Sequence, residues 1–331
     1  MNNKYNSIIK RIPGNEHRKD VVFRIAGDGF LQVVYGDGRP STESNLKQMI
    51  LNAFRVIIIN DIVKKSKIDG LIETIPGHES LLYKFDPLEI KMDDLVKAVT
   101  DIENGVNNIE DYEIETRCIR LPLVFDDSST KKAIEKYLKE IKPDSINCEG
   151  NSNLSYIARY NGITVDELKK KFLKTEWLVT MVGFFPGLPY YFPLDPTCAI
   201  TAPKYNPART WTAEGAVDLA DYCSTIFGVE SSGGYQLIGR TAPIFQANQI
   251  HKQYKDSPAL FKSTDILQYY EAKEEELLDV YQLVKEGKWD YDISSRKFSL
   301  TEWIRFYEGV KDDAELLREK QKNGRKVTPL P

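Results

Sequence analysis

Two cations, an amide and a proline are concentrated in one stretch, KYNPART, which begins at Lys204. Lys204 and Arg209 are five residues apart, so a regular strand would send their side chains to opposite faces, and Pro207 would interrupt its hydrogen bonds. The stretch is therefore predicted to be a loop in which Lys204, Asn206 and Arg209 face one site. Such a group suits a carboxylate, carbamate or phosphate. The alternative is that Arg209 pairs with Glu214 and that Lys204 is solvated, since charge pairs in turns are common.

A second stretch, GFFPGLPYY at residues 183–191, combines prolines, glycines and aromatic residues. It predicts a stiff, sharply turned apolar wall of the kind that suits a flat heterocyclic ligand. The alternative is that these aromatic side chains cap the end of a barrel. The candidate binding residues of this stretch are Phe184, Phe185, Pro186, Gly187, Pro189 and Tyr190.

A third stretch, ESSGGYQLIGRT at residues 230–241, contains two adjacent glycines after two serines. It predicts a turn whose backbone N–H groups and serine hydroxyls can face an oxyanion, and a plain hairpin turn is the alternative. Gln236 and Arg240 are four residues apart, so they would share one face of a continuous strand. The candidate binding residues here are Ser231, Ser232, Gly233, Gly234, Gln236, Arg240 and Thr241.

The sequence lacks several patterns that would indicate other chemistry. It has no G-x-S-x-G elbow, Walker A loop, Rossmann fingerprint or zinc spacing, and none of its three histidines lies in the three stretches. The four cysteines are widely spaced, which favours reduced thiols over disulfides or a metal site. Ordinary Ser–His hydrolysis is disfavoured. The residues fit a site that positions a preactivated group and stabilises its charge.

Composition narrows the class of protein. The chain has 331 residues, of which 41% are hydrophobic and 28% charged, and its net charge is -4. These values predict a globular protein with a sizeable core and no general attraction to nucleic acid or anionic membranes. No apolar run reaches the roughly 18 residues of a spanning helix, and the N-terminal residues lack the apolar segment of a signal peptide. A cytoplasmic location is the expectation.

Hydrophobic periodicity predicts an α+β fold in four parts. Residues 20–124 show the order β-α-β-β-α-β of a ferredoxin-like domain, including a hairpin near residues 21–35 and an apolar helical stripe from Leu46 to Ile58. A short helical connector is predicted over 125–175, with a capping box between Thr164 and Glu167. The remaining parts are a compact, barrel-like all-β domain at 176–270 and a helical tail at 271–331.

The motifs GFFPGLPYYFPLDP, KYNPARTWTAEGAV and SSGGYQLIGRT together resemble the allophanate hydrolase subunit 1 family. That family includes the B component of 5-oxoprolinase and the sporulation-kinase inhibitor Kip. The likeness covers the chain from about residue 20, and KYNPARTWTAEGAV, PLDP and the tail KFSLTEWIRFYEGVKDDAELLREKQ look most like the first half of the carboxyltransferase domain of urea carboxylase. The resemblance implies a cyclophilin-like barrel after the ferredoxin-like domain.

The resemblance also implies an activity and partners. In urea carboxylases this domain takes a carboxyl group from carboxybiotin and adds it to a nitrogen of urea or guanidine. The chain would then be one carboxyltransferase subunit that needs a second half, similar to allophanate hydrolase subunit 2. It would also need a biotin carboxylase and a biotin carboxyl carrier that bears the biotin. Lys204, Asn206 and Arg209 would be catalytic, and the other candidate residues would bind biotin or the acceptor.

One departure from the family pattern concerns the acceptor. Urea carboxylases typically read G-D-V-Y-L-G-A-P where this chain reads VGFFPGLP, so Gly183 replaces an acidic residue while Gly187 and Pro189 still align. The substitute resembles the B component of 5-oxoprolinase. Two further hypotheses therefore stand beside the first, a component of an ATP-dependent lactam hydrolase and a protein-binding regulator similar to Kip. The acceptor and the activity of the isolated chain stay open.

Overall fold

The structure, a computed structural model, describes residues 7–16, 18–36 and 46–331. The chain divides into two compact units. The first comprises Met1–Ile114 with Phe298–Glu302, and the second comprises Glu115–Lys297 with Trp303–Pro331. Among the described residues, no helix has both the length and the apolar character needed to cross a membrane.

The first unit is built on a five-stranded antiparallel sheet with the order β1-β2-β3-β5-β4. The predicted hairpin is confirmed, because β2 and β3 pair from Val21–Tyr35 to Ile25–Leu31. The predicted helical stripe is also confirmed, since Ile50, Phe54 and Ile57 are all buried. The elements are β1 (Ile8–Ile12), β2 (Val21–Ile25), β3 (Phe30–Tyr35), α1 (Leu46–Ser66), β4 (Leu71–Pro76), β5 (Ser80–Phe85) and α2 (Met92–Gly105).

The last strand of the predicted β-α-β-β-α-β pattern lies elsewhere. This strand, β6 (Glu113–Phe125), pairs with strands of the second unit, and β2 occupies the position beside β3. Ile119, Leu121 and Leu123 are buried in the core of the second unit, which explains the difference. Alternating apolar residues identify a strand, but they do not identify the sheet to which it belongs.

The second unit contains a closed seven-stranded barrel. Its strands follow the order β13-β10-β11-β8-β7-β14-β6, and pairing of β13 with β6 closes it. Inward-facing residues from all seven strands form one core, among them Val179, Tyr191, Val217 and Ile226. The α+β class with a barrel is thus confirmed. The barrel strands after β6 are β7 (Trp177–Val182), β8 (Pro189–Pro193), β10 (Ala216–Ala220), β11 (Cys223–Ile226), β13 (Gln236–Thr241) and β14 (Ile266–Glu271).

A two-stranded ribbon stands apart from the barrel sheet. It pairs β9 (Arg209–Thr212) with β12 (Ser231–Gly233). A second buried cluster contains residues of this region and of the outward face of the barrel, including Tyr205, Ala216, Phe227 and Leu237. One face of strands β8, β10 and β13 is therefore covered by protein on the outside of the barrel.

In the sequence of the second unit, helices lie between the barrel strands β6 and β7 and after the barrel strand β14. The predicted capping box is confirmed: Thr164 Oγ1 accepts from the backbone N–H of Glu167, and the Glu167 carboxylate accepts from that of Thr164. One strand in the predicted helical tail was missed, β15 (Asp292–Ser299), which lies beside β6 and has a mostly polar, exposed sequence. The helices are α3 (Ser128–Glu140), α4 (Leu154–Tyr160), α5 (Val165–Lys174), α6 (Glu274–Lys285), α7 (Leu300–Gly309) and α8 (Lys311–Val327).

Candidate functional site

The KYNPART stretch is an anchored loop that leads into β9. The backbone carbonyls of Asn206 and Pro207 accept hydrogen bonds from Lys142 Nζ at 3.3 Å and from the Tyr137 hydroxyl at 3.0 Å. The backbone N–H of Tyr205 donates to the carbonyl of Gly234 at 2.7 Å. These contacts fix the loop although several of its side chains, including those of Lys204 and Asn206, are exposed.

Arg209 points into the protein. Its side chain is only 1% exposed, and its guanidinium lies 4.5 Å from the centre of the Tyr205 ring. Nη1 donates to the carbonyl of Tyr235 at 2.5 Å, and Nη2 donates to Thr212 Oγ1 at 3.3 Å. The carboxylate beside it is Asp218, whose Oδ2 is 3.9 Å from Nη2, so the alternative pairing with Glu214 is wrong. The backbone carbonyl of Glu214 accepts instead from Arg240.

Asp218 is a buried carboxylate on the outward face of the barrel. In the antiparallel pairing, Asp218 stands opposite Thr225, and Thr225 stands opposite Tyr190, so these three side chains form a row across β10, β11 and β8. Thr225 Oγ1 donates to Asp218 Oδ1 at 2.5 Å. Burial raises the pKa of Asp218 to about 7, although Arg209 and the Thr225 hydrogen bonds act in the opposite direction.

Lys204 and two tyrosines lie around this carboxylate. Lys204 Nζ is 5.2 Å from the centre of the Tyr235 ring, and its charge reaches Asp218, whose pKa it lowers. Burial raises the pKa of Tyr190 to about 12, and the negative charge of Asp218 contributes. The pKa of Tyr235 is raised by burial, with Cys223 and Asp218 as further causes. We call this group the Asp218 site; it consists of Lys204, Arg209, Asp218, Thr225, Tyr190 and Tyr235.

Gly233 packs closely against this site, and the predicted binding of an anion by the backbone N–H groups of Gly233 and Gly234 stays a prediction. Gly233 lies in strand β12, where a Cβ atom would come within 3.0 Å of Arg209 Nη2 and 2.7 Å of Phe227 Cζ. A side chain at this position would displace the guanidinium. Gly234 follows the strand, and its backbone carbonyl accepts a hydrogen bond from the backbone N–H of Tyr205. Within the described part of the chain, Ser231 Oγ is buried without a hydrogen-bond partner, and Ser232 is exposed.

Three predicted binding residues are engaged in holding the fold. Gln236 is completely buried, and its side-chain amide accepts from Asn147 at 2.9 Å and donates to the carbonyl of Pro203 at 2.8 Å. Both ends of this amide have protein partners, and a role of Gln236 in ligand binding stays a prediction. Arg240 donates to Glu214 and Ser129, and Thr241 Oγ1 donates to the carbonyl of Pro122. Gln236 and Arg240 contact different residues. A bulge at Ile238 interrupts the alternation of side chains between the two faces of β13, so the four-residue spacing does not place them on one face.

The GFFPGLPYY stretch forms the loop between β7 and β8, residues 183–188, and the first three residues of β8. Phe184 has a φ of 71° and is 78% exposed, and its ring lies 4.6 Å from that of Phe185. Gly187 has a φ of 68° and lies against Phe245, where a Cβ would approach to 2.7 Å. Pro186 is exposed and Pro189 is buried. From this stretch, Tyr190 belongs to the Asp218 site, while the stacking role of Phe184 and Phe185 stays a prediction.

Asp218, Thr225 and Tyr235 were not predicted as site residues. A signal for Asp218 exists in the sequence, since AVDLA places one carboxylate within an apolar strand. Chemically, the site offers a carboxylate to N–H groups and two cations to a carbonyl or carboxylate oxygen. Within residues 7–16, 18–36 and 46–331, no three His, Cys, Asp or Glu side chains are grouped to hold a metal ion.

A family model described as "Carboxyltransferase domain, subdomain C and D" matches residues 23–254. The match covers more than half of the chain and includes the barrel strands that carry the Asp218 site. The chain therefore belongs to this carboxyltransferase-domain family, which confirms the relationship predicted from the three motifs.

Individual relatives agree with this assignment. Urea amidolyase of Saccharomyces cerevisiae is 31% identical over 309 residues, which are 93% of this chain and 16% of the relative. The urea carboxylase structure of Kluyveromyces lactis matches with a TM-score of 0.84 at 26% identity, covering 98% of this chain and 28% of that one. The chain thus spans less than a third of both proteins. The B component of 5-oxoprolinase from Bacillus subtilis is 25% identical over 223 residues, covering 65% of this chain and 81% of that component.

Proposed function

We propose that this chain is one half of a biotin-dependent carboxyltransferase that moves a carboxyl group from carboxybiotin to a nitrogen of a urea-, guanidine- or amide-like acceptor. The observation that carries the proposal is the Asp218 site, where two cations and one carboxylate converge in a member of a carboxyltransferase-domain family. A transferase of this kind needs positive charge beside the moving carboxyl group and an acceptor for the N–H groups of the substrate.

The residues of the site suit these tasks. Carboxybiotin, when bound, supplies a carboxyl group that is already activated for transfer. Lys204 is exposed, lies over the Tyr235 ring and can bind the oxygens of that group, while the buried Arg209 is a fixed second cation of the site. Tyr190 and Tyr235 are half-buried and offer aromatic faces to a flat ring. Because Arg209 is held by Thr212 and Tyr235 beforehand, its charge needs no reorganisation during the reaction.

The relatives are much longer than this chain, which suggests that the chain acts together with other domains. The chain spans 16% of urea amidolyase and 28% of the urea carboxylase structure, so further segments accompany this domain in both proteins. We propose that the second carboxyltransferase half, the biotin carboxylase and the biotin carboxyl carrier contact this chain as other segments or other proteins. Biotin would be attached to the carrier and not to this chain. Transfer activity is expected to require the second half.

The proposal is tested by following the carboxyl group. The chain is combined with a second carboxyltransferase half and with carboxybiotin labelled with ¹⁴C in its carboxyl group, and label is measured in urea, guanidine and acetamide. We expect label in at least one acceptor. Lys204→Ala should lower the transfer rate by orders of magnitude. Lys255→Ala, which removes another exposed cation of the same unit, should leave it unchanged. Absence of label from every acceptor would falsify the proposal.

A second candidate function is a component of an ATP-dependent lactam hydrolase. The observation that favours it is the coverage of 81% of the B component of 5-oxoprolinase, far more than the share of the urea carboxylase structure. This function requires partner proteins and ATP but no biotin. Opening of 5-oxoproline by a reconstituted complex in the presence of avidin, which sequesters biotin, would support it. If avidin abolished the activity of the reconstituted complex, that activity would depend on biotin, which would support the carboxyltransferase function.

A further inference from the structure

One oxygen of Asp218 retains hydrogen-bonding capacity. The carboxylate accepts hydrogen bonds from the backbone N–H of Thr225 and, at Oδ1, from Thr225 Oγ1, whereas Oδ2 lies 3.9 Å from Arg209 Nη2, which is longer than a hydrogen bond. A carboxylate kept only to neutralise Arg209 would be expected in direct two-point contact with the guanidinium. Arg209 is held by other groups, the hydroxyl of Thr212 and the carbonyl of Tyr235. Asp218 is therefore not needed to satisfy the hydrogen bonds of Arg209.

A buried carboxylate in this arrangement is costly for the fold. Asp218 is 1% exposed, and its neighbours on β10, Val217 and Leu219, are apolar and buried in the barrel core. Removing a carboxylate from water costs free energy unless close partners replace the water. The groups that face it are Arg209 on β9, Lys204 in the loop, Thr225 and Cys223 on β11, Tyr190 on β8 and Tyr235 before β13. Costly polar groups of this kind concentrate at functional sites.

We propose that Asp218 is the acceptor-binding carboxylate of this chain and receives the N–H groups of the acceptor at Oδ2, while Arg209 lies beside the acceptor's carbonyl oxygen. The inference rests on the proposed function and adds to it the residue that selects the acceptor. A group with N–H and C=O on the same carbon, as in a urea or a primary carboxamide, matches a carboxylate and a guanidinium 3.9 Å apart. Ligands without N–H would bring no donor to Oδ2, and such mismatches are strongly rejected.

Binding of two methylated ureas to the full chain tests the inference without any transfer of carboxyl groups. N-methylurea has N–H groups, and tetramethylurea has the same carbonyl but none, and the methyl protons of both can be followed by saturation-transfer NMR. We expect saturable binding of N-methylurea and none of tetramethylurea. Asp218→Asn keeps the shape and an acceptor oxygen but removes the charge, so it should weaken N-methylurea binding at least tenfold. Thermal unfolding of the variant checks that it is folded.

Asp221→Asn is the matched control. Asp221 lies three residues further on, is exposed, and has a φ of 51°, which asparagine also adopts readily. This variant should bind N-methylurea as the wild type does. Equal affinity of wild type and Asp218→Asn would overturn the inference, as would the absence of saturable binding to the wild type. In either case the labelled-carboxyl experiment still decides the proposed function, so the two failures are distinguishable.

Discussion

Replacing Asp218 by asparagine should stabilise the protein at pH 8. Burial raises the pKa of this carboxyl from 3.8 to about 7, so the folded protein binds a proton more tightly than the unfolded chain does. Stability therefore falls as pH rises from about 4 to about 7, and the full cost is present above pH 7. A difference of about 3 pH units at ~1.36 kcal/mol per unit gives a cost on the order of 4 kcal/mol. This figure already contains the attraction of Arg209, which lowers the pKa.

Asparagine avoids this cost because it stays neutral and still accepts from Thr225 Oγ1. Calorimetry should show a Tm for Asp218→Asn that is roughly 8–16 °C higher at pH 8, at about 2–4 °C per kcal/mol for a unit of this size. The gain should shrink toward pH 4, where the wild-type carboxyl is protonated. Asp221→Asn should shift the Tm little at either pH, because exposed substitutions usually change stability by less than about 0.5 kcal/mol.

A lower Tm for Asp218→Asn at pH 8 would mean that Asp218 stabilises the fold. If Asp218 and Arg209 were a structural ion pair, removing one partner would leave a buried uncompensated charge and cost roughly 3–5 kcal/mol. A Tm that is lowered at pH 8, or a shift that does not change between pH 8 and pH 4, would therefore assign Asp218 to the fold instead of to the acceptor.

Three further predictions concern the neighbours of Asp218. Gly233→Ala should destabilise the protein by about 1–3 kcal/mol in calorimetry, because the new Cβ would approach Arg209 Nη2 to 3.0 Å. Gly234→Ala should be close to neutral, since its Cβ would lie 3.6 Å from the Cβ of Ala208. Equal losses of stability in the two variants would contradict this packing. Lys204→Ala should leave the Tm within about 1 °C of wild type, since Lys204 is exposed, while lowering carboxyl transfer. Methylguanidinium should bind at least tenfold more weakly than N-methylurea in NMR titrations, because Lys204 and Arg209 together outweigh the charge of Asp218; tighter binding would show that Lys204 does not act on the ligand.

Local sequence patterns predicted several elements well. The apolar stripe of α1 and the capping box of Thr164 and Glu167 depend on residues three and four positions apart, so the sequence alone contains both partners. The β2–β3 hairpin is equally local. The pattern that identifies each of these elements lies within a short segment, which is why their type could be predicted before the fold was known.

The candidate site depends on strand pairing between distant segments. The KYNPART stretch predicted a loop in which Lys204, Asn206 and Arg209 face one site. Arg209 contacts Asp218 and the carbonyl of Tyr235, which no spacing rule connects to it. Asp218, Thr225 and Tyr190 become one row only through the register of three strands. The same limit explains Gln236, whose buried partners Asn147 and Pro203 lie far from it in the sequence.

Transfer of labelled carboxyl groups by Asp218→Asn tests whether the acceptor binds at the Asp218 site. The variant is combined with the second carboxyltransferase half and ¹⁴C-carboxybiotin under single-turnover conditions, beside wild type and Asp221→Asn. We predict that wild type and Asp221→Asn label a urea- or amide-type acceptor at the same rate, while Asp218→Asn is slower by at least a hundredfold. Transfer by Asp218→Asn at the wild-type rate would contradict the assignment of the acceptor to the Asp218 site.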